Sequence, residues 1–273
     1  MTKEDPRMTV DASVIVSTYN NPRALEAIIA RLRNGTCVPK EILVADDGST
    51  DETRTMLDAA IRGDGSVIRH CWHPDEGFRK TRILNQCVAR AEGDYLVFLD
   101  GDCLPHPRWL EDHLRLAERG TFVQGRRAFI PERFVDQVLD GETTVQRLFW
   151  SGRLDGAFKA IRLPVPRIRR DRDMHGLLGC NLAMWRSDVF HVNGLDEEFE
   201  GWGIGEDSDL CARLYNLGID RKIVHGRGLV YHLNHPELPR THVPESNRRL
   251  QRAIDEGLIR CEAGLDRHLE TLA

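Results

Sequence analysis

Long hydrophobic runs are missing from this 273-residue sequence: no apolar stretch approaches the 18 residues that a membrane-spanning helix needs. The opening residues Met1 to Thr9 are too polar for a secretory signal, so a soluble, cytoplasmic protein is expected. Basic excess is missing too. Lys and Arg number 38 against 43 Asp and Glu, a formal charge of −5, so no general field draws in nucleic acid. The seven cysteines (37, 71, 87, 103, 180, 211 and 261) are never closer than 16 positions. That spacing excludes a CxxC metal knuckle and a dense disulfide framework, and reduced thiols are expected. Internal repeats and low-complexity tracts are absent as well. The 41% of hydrophobic residues suffices for one large core.

The first half alternates strand and helix. Residues 13–20, 41–45, 67–72 and 94–99 read as short apolar strands. Residues 22–33, the stretch after 51, and 80–91 read as helices. This pattern predicts an α/β fold with a doubly wound, mostly parallel sheet, whose ligands sit at the carboxyl ends of the strands. From about 126 to 175 the pattern loosens, and the basic stretch Arg162 to Arg172 reads as a mobile loop. A second organised block runs from 176 to 235. After it, Leu250, Ile254, Leu258, Leu265 and Leu269 mark a helical tail over 236–273.

The strands end in polar and acidic residues: Thr18-Tyr19-Asn20, Asp46-Asp47, and Asp100-Gly101-Asp102. Carboxylates crowded at one sheet edge repel each other unless a metal or a cationic ligand offsets them. Asp100 and Asp102, two apart, share a face and suit a hard divalent ion such as Mn²⁺ or Mg²⁺. Gly101 between them allows close backbone approach. Taken alone, an Asp-x-Asp triplet is more often a turn. Asp46-Asp47-Gly48-Ser49 likewise reads as a turn and cap, which leaves the two carboxylates over; one could accept the N3–H of a uracil ring. Arg79, Lys80 and Arg82 open a helix, where the dipole disfavours cations. A bound pyrophosphate or a plain solvated face would each account for them. In Gly201-Trp202-Gly203-Ile204-Gly205-Glu206-Asp207, the indole offers a flat surface for a sugar ring, and the acids begin a helix that favours their ionised form. His232 or His235 could complete a metal site beside Asp102, or be ordinary surface histidines.

Together, Ser17–Asn20, Ala45–Asp51, Asn85–Asp102 and Gly201–Asp207 resemble a family 2 glycosyltransferase of GT-A fold. The block from Gly179 through Asp207 resembles the galactosyltransferase C-terminal region, shared with bacterial chondroitin-type polymerases and polypeptide N-acetylgalactosaminyltransferases. The likeness spans roughly residues 11–235, without the 126–175 segment or the tail. It implies one GT-A domain with a nucleotide-sugar-binding half (11–125) and an acceptor and catalytic half (176–235), to which the sequence pattern adds a mobile insertion (126–175) and a helical tail (236–273). It implies an inverting, metal-dependent transfer of a hexose or N-acetylhexosamine from a UDP-sugar to a glycan or glycoconjugate, lipid-linked acceptors at the inner membrane face included.

Carried onto matching positions, the resemblance implies uridine contacts from Thr18 and Asp46, with Asn20, Asp47 and Gly101 on the same nucleotide-sugar side. Arg79 or Arg82 would face the uracil or the pyrophosphate. Asp100 would hold ribose or metal, and Asp102 and His232 the metal. Asn181, Trp202 and Gly203 would meet the acceptor sugar. Asp207 would be the general base and Glu206 would hold the acceptor. Leu84 stands where many relatives carry an arginine, which moves the phosphate contact to Arg79 or Arg82. The run from Trp202 to Glu206 is one residue longer than the commonest form, so the base lies between Glu206 and Asp207. No Trp occurs after Trp202, so the Gln-x-x-Arg-Trp signature of processive synthases is absent. The alternatives are a nucleotidyltransferase, disfavoured because Ser17–Pro22 has no glycine, and a non-catalytic sugar-nucleotide-binding module, disfavoured because all four acids are present.

Overall fold

The structure, a computed structural model, describes residues 10–62, 68–203, 205–236 and 243–269. In chain order it builds β1 (Ala12–Thr18), α1 (Pro22–Arg33), β2 (Glu41–Asp46), α2 (Asp51–Arg62), β3 (Ile68–Trp72), α3 (Lys80–Arg90), β4 (Tyr95–Asp100), β5 (Cys103–Pro105) and α4 (Trp109–Leu116). Then come β6 (Thr121–Gln124), β7 (Arg126–Ile130), α5 (Val135–Leu139), α6 (Val145–Trp150), β8 (Arg167–Asp171), β9 (Asn181–Trp185) and α7 (Arg186–His191). The chain continues through α8 (Glu206–Asn216), β10 (Asp220–His225), β11 (Leu229–Leu233), α9 (Val243–Asp255) and α10 (Asp266–Leu269).

Eight strands form one sheet in the order β3-β2-β1-β4-β9-β6-β10-β8. β3, β2, β1 and β4 run parallel, whereas β9 and the edge strand β8 are antiparallel to their neighbours. A second sheet, β5-β11-β7, stands beside it. Alternation along each buried strand splits the core between two faces. Val14 and Val16 pack with Leu25, Ile28 and Trp109 on one side; Ile15 and Leu43 pack with Ile83, Phe98 and Leu210 on the other. α1 shows why the sequence chooses its elements: Asn21 caps Ala24 N–H through its side chain, Pro22 opens the helix, and Leu25, Ile28, Ile29 and Leu32 form its buried face.

The register brings the acidic strand ends together. Thr18 lies opposite Asp46, and Ser17 opposite Asp100. Gly101 is needed here for a packing reason: a Cβ would sit 2.1 Å from Ser17 O, so any side chain would push β4 off β1.

Two expectations are corrected. Arg162–Arg172 is not an open loop, because Arg167–Asp171 pairs antiparallel with β10 over five residue pairs. An edge strand exposed on both faces needs no apolar alternation, which hides it from periodicity. The tail is not one continuous helix. α9 ends at Asp255, Leu258 N–H turns back to Ala253 O, and Ala253 and Leu265 are buried while Ile254 and Leu269 are exposed.

Candidate functional site

A cleft of about 590 Å³ opens over the carboxyl ends of β1, β2 and β4. Thr18, Asp47, Asp100, Gly101, Asp102 and Trp202 line it, together with Tyr19, Phe78, Lys80 and His235. Asp46 does not: it is buried, with Ser49 N–H donating to Oδ1 (2.8 Å) and His70 Nε2 at 2.8 Å from Oδ2. Asp47 is held by His73 (2.7 Å) and by Arg79 N–H (3.0 Å), yet still reaches the cleft wall. The Thr18 hydroxyl is buried, with no hydrogen-bond partner among the described residues. Asn20 accepts from Thr50 N–H and is not among the lining residues.

The cation at the floor is Lys80. Its Nζ lies 2.6 Å from Asp100 Oδ1 and 4.0 Å from Glu206 Oε1. Burial pulls the ammonium down, but Asp100 and then Glu206 outweigh it and hold its pKa above the ordinary value. Arg79 and Arg82, expected to face the nucleotide, are outside the cleft. Arg79 is turned onto Glu76 (2.5 Å) and the Pro74 carbonyl (2.8 Å), and Arg82 is exposed. The sequence marks three cations at the start of α3, but their spacing does not say which one points inward.

Asp102 sits where β5 and β11 meet. Its Oδ2 is 3.3 Å from His232 Nε2 and 3.2 Å from His235 Nε2, and the two imidazoles stack at 5.4 Å. Burial raises the carboxyl, but hydrogen bonds from His232 and His235 win and hold it well below the usual range. Asp102, Cys103 and His232 place ligand atoms within 4.8 Å of one another. A carboxylate oxygen beside an imidazole fits a divalent ion such as Mn²⁺.

Glu206 and Asp207 open α8 just below the cleft floor, around a small hollow of about 30 Å³ shared with Lys80, Asp100 and Gly179. α8 is pinned from its far side. Buried Arg213 pairs with Asp209 (2.7 Å) and donates to the Val192 and Gly194 carbonyls. Asp207 accepts from Gly179 N–H (2.8 Å) and Ser208 N–H (2.7 Å), which fixes the orientation of its carboxylate. A Cβ on Gly179 would lie 2.8 Å from that carboxylate, so glycine is required there. Burial, then the neighbouring Asp207 charge, pushes Glu206 up to about 7.

Asn181, expected at the acceptor sugar, is instead part of the core. Its Oδ1 accepts from Trp109 and His113, and its Nδ2 donates to Gly228 and Arg126 carbonyls, which leaves nothing for a ligand. Gly203 is exposed beside Trp202 but does not line the cleft, and Ile204 lies outside the described residues. His70 and His73, which hold the first acidic pair, carry no sequence signal that would have marked them.

This sheet order, with acids at the strand ends and at the start of a later helix, is the GT-A architecture of glycosyltransferases. Comparison with known proteins agrees. The glycosyl transferase family 2 model matches residues 13–179, and the model described as the N-terminal domain of galactosyltransferase matches 161–236. The chain belongs to glycosyl transferase family 2. The two matches run on through residues 126–175, where the sequence motifs give no likeness.

Among curated relatives, chondroitin synthase of Escherichia coli is 25% identical over 244 residues, 82% of this chain and 35% of that protein. Validoxylamine A glucosyltransferase of Streptomyces hygroscopicus subsp. limoneus is 28% identical, over 76% of this chain and 48% of its own length. Hyaluronan synthase of Pasteurella multocida is 28% identical, over 83% and 25%. The chain therefore spans a quarter to about half the length of these relatives. Among solved structures, S. aureus TarS 1–349 in complex with UDP superposes with a TM-score of 0.62 at 18% identity, covering 96% of this chain and 70% of that one. A mannosyltransferase from Pyrobaculum calidifontis, in complex with GDP-Man and Mn²⁺, gives 0.55 at 18% identity, covering 90% and 63%. At such identities the likeness is one of fold. No helix among the described residues is long and apolar enough to cross a membrane.

Proposed function

We propose that this chain is an inverting, divalent-metal-dependent glycosyltransferase that moves a hexose or N-acetylhexosamine from a UDP-sugar to a hydroxyl of a glycan or glycoconjugate. One observation carries the reading: Asp100 at the end of β4 and Glu206 at the start of α8 meet Lys80, with Asp207 lining the same small hollow and Asp102 on the wall of the adjoining cleft. A structural protein gains nothing from four carboxylates so placed; a charged ligand and a proton to be moved give each of them a task. The UDP-bound neighbour supports a nucleotide-sugar donor.

In this reading the nucleotide lies along residues 11–125, with the Thr18 hydroxyl and Asp47 as its protein contacts. Asp102 and His232, with His235 beside them and Asp100 lining the same cleft, would hold Mn²⁺ or Mg²⁺. The bound ion would neutralise charge on the departing UDP. Lys80 neutralises Asp100 and keeps the two acid pairs from repelling. The acceptor stacks on Trp202 within the 176–235 half. Asp207, fixed by two backbone N–H groups, takes the proton of the attacking hydroxyl, and Glu206 positions the acceptor.

The test is incubation with a panel of UDP-sugars and Mn²⁺ in the presence of oligosaccharide acceptors, with the product anomer read by NMR. A product of inverted configuration, lost in Asp207→Asn, is expected. Retained configuration, or transfer undiminished in Asp207→Asn with loss in Glu206→Gln, would overturn the mechanism or move the base to Glu206.

A further inference from the structure

Residues 150–172 carry seven basic side chains against two acidic ones, in a chain whose total charge is −5. The same stretch leaves large apolar side chains in water: Trp150 (83% exposed), Phe158 (74%), Val165 (77%), Ile161 and Ile168. Isolated exposed apolar residues are ordinary on soluble proteins, but here five fall within nineteen residues of chain, interleaved with cations.

The segment is not loosely draped. Leu163 N–H donates to Gly226 O (3.1 Å), the Arg227 guanidinium holds the Leu163 and Pro164 carbonyls, Arg162 reaches buried Asp112 (2.6 Å), and Arg167–Asp171 is paired with β10. Pinned at these points, the backbone turns Leu163 onto Gly226 and leaves Phe158, Ile161 and Val165 outside.

We propose that this face docks on an anionic lipid bilayer, with Phe158, Ile161 and Val165 entering the headgroup region while Lys159, Arg167 and Arg169 meet lipid phosphates. Apolar side chains gain by leaving water only where an apolar medium receives them, and the adjacent cations gain from the negative surface potential of an anionic leaflet. A soluble acidic polymer would use the cations and leave the apolar groups stranded. A second copy adding to the open edge of β8 would bring its arginines against their own kind. Arg170 and Arg172 are engaged with Glu118 and Asp220, while Arg169, paired within its own strand with Asp171 (2.9 Å), stays 64% exposed, so the contact centres on 158–169.

The test is co-sedimentation of the full chain with vesicles of phosphatidylcholine alone or mixed with phosphatidylglycerol, across a salt series. Binding to the mixed vesicles alone, weakened by salt, is expected. At about fivefold per basic residue, Lys159→Gln with Arg167→Gln and Arg169→Gln lowers partitioning roughly a hundredfold. Phe158→Ser with Val165→Ser also lowers it. Both variants keep the wild-type melting temperature and UDP affinity, which separates this surface from the cleft. Three outcomes would overturn the proposal: no vesicle binding by the wild type, undiminished vesicle binding by both variants, or capture by a soluble acidic polysaccharide or a second copy without vesicle binding.

Discussion

Two parallel strands of this chain end in paired aspartates, and the pairs are built differently. After β2, Asp46 and Asp47 are almost closed to solvent and are met by backbone N–H groups of Ser49 and Arg79 and by His70 and His73. After β4, Asp100 and Asp102 open on the cleft and are met by side-chain cations or imidazoles carried on other elements: Lys80, His232 and His235. A carboxylate closed to solvent and fully engaged, as Asp46 is, fixes the shape of a loop. One that opens on the cleft, as Asp100 and Asp102 do, can exchange its side-chain partners for a ligand.

The comparison breaks most sharply through activity. Asp102→Asn and Asp207→Asn are each expected to lower transfer on the order of 10³-fold, about 4 kcal/mol of barrier, with little change in melting temperature. Steady-state assays paired with thermal unfolding check this; a variant that melts early would place these acids with the first pair. Asp46→Ala is expected to do the reverse. It removes a buried acceptor of two hydrogen bonds and destabilises the fold by about 3 kcal/mol, roughly 6–12 °C in melting temperature for a chain of this size. Urea unfolding reads the loss directly, and an unchanged midpoint would contradict the structural role. Next in size, UDP with Mn²⁺ at about a hundred times the dissociation constant should stabilise the wild type by about 2.7 kcal/mol, a gain that EDTA reverses. Asp102→Asn should lack the EDTA-sensitive part.

A further effect, confined to a pH window, concerns Glu206. Its folded pKa, raised from 4.5 to about 7, means that the folded state holds a proton which the unfolded state has lost over that range. Its contribution to stability is full below 4.5 and falls away as pH rises through 7. Glu206→Gln should flatten that slope and raise stability relative to wild type above about pH 7. Unfolding curves taken at intervals between about pH 4.5 and 8 would show it; parallel curves for the two proteins would argue against the buried, charge-crowded setting of Glu206.

Much of the architecture was legible in the sequence. Runs such as Glu41–Ala45 are buried on both faces and bounded by turn residues, so strand, helix and parallel order could be read from pattern. The acids at the strand ends were legible for the same reason. Which acid did what was not, because Asp46 and Asp102 come after equally good strands and differ only in partners brought by distant chain, His70 and His232. Asn181 misled for a related reason: its polar side chain looks functional until Trp109, His113, Arg126 and Gly228 are seen closing around it. Lys80 was one of three cations until the fold chose it. β8 escaped because an exposed edge strand has no buried face to imprint a period.

The most direct test of the contrast between the two aspartate pairs is calorimetric titration of UDP into the wild type and Asp102→Asn, with and without Mn²⁺, with GDP and CMP as controls. The expected result is UDP binding that Mn²⁺ strengthens in the wild type and leaves unchanged in Asp102→Asn. Absence of binding by any nucleotide with Mn²⁺ present, or an equal Mn²⁺ effect in both proteins, would contradict the assignment of this cleft.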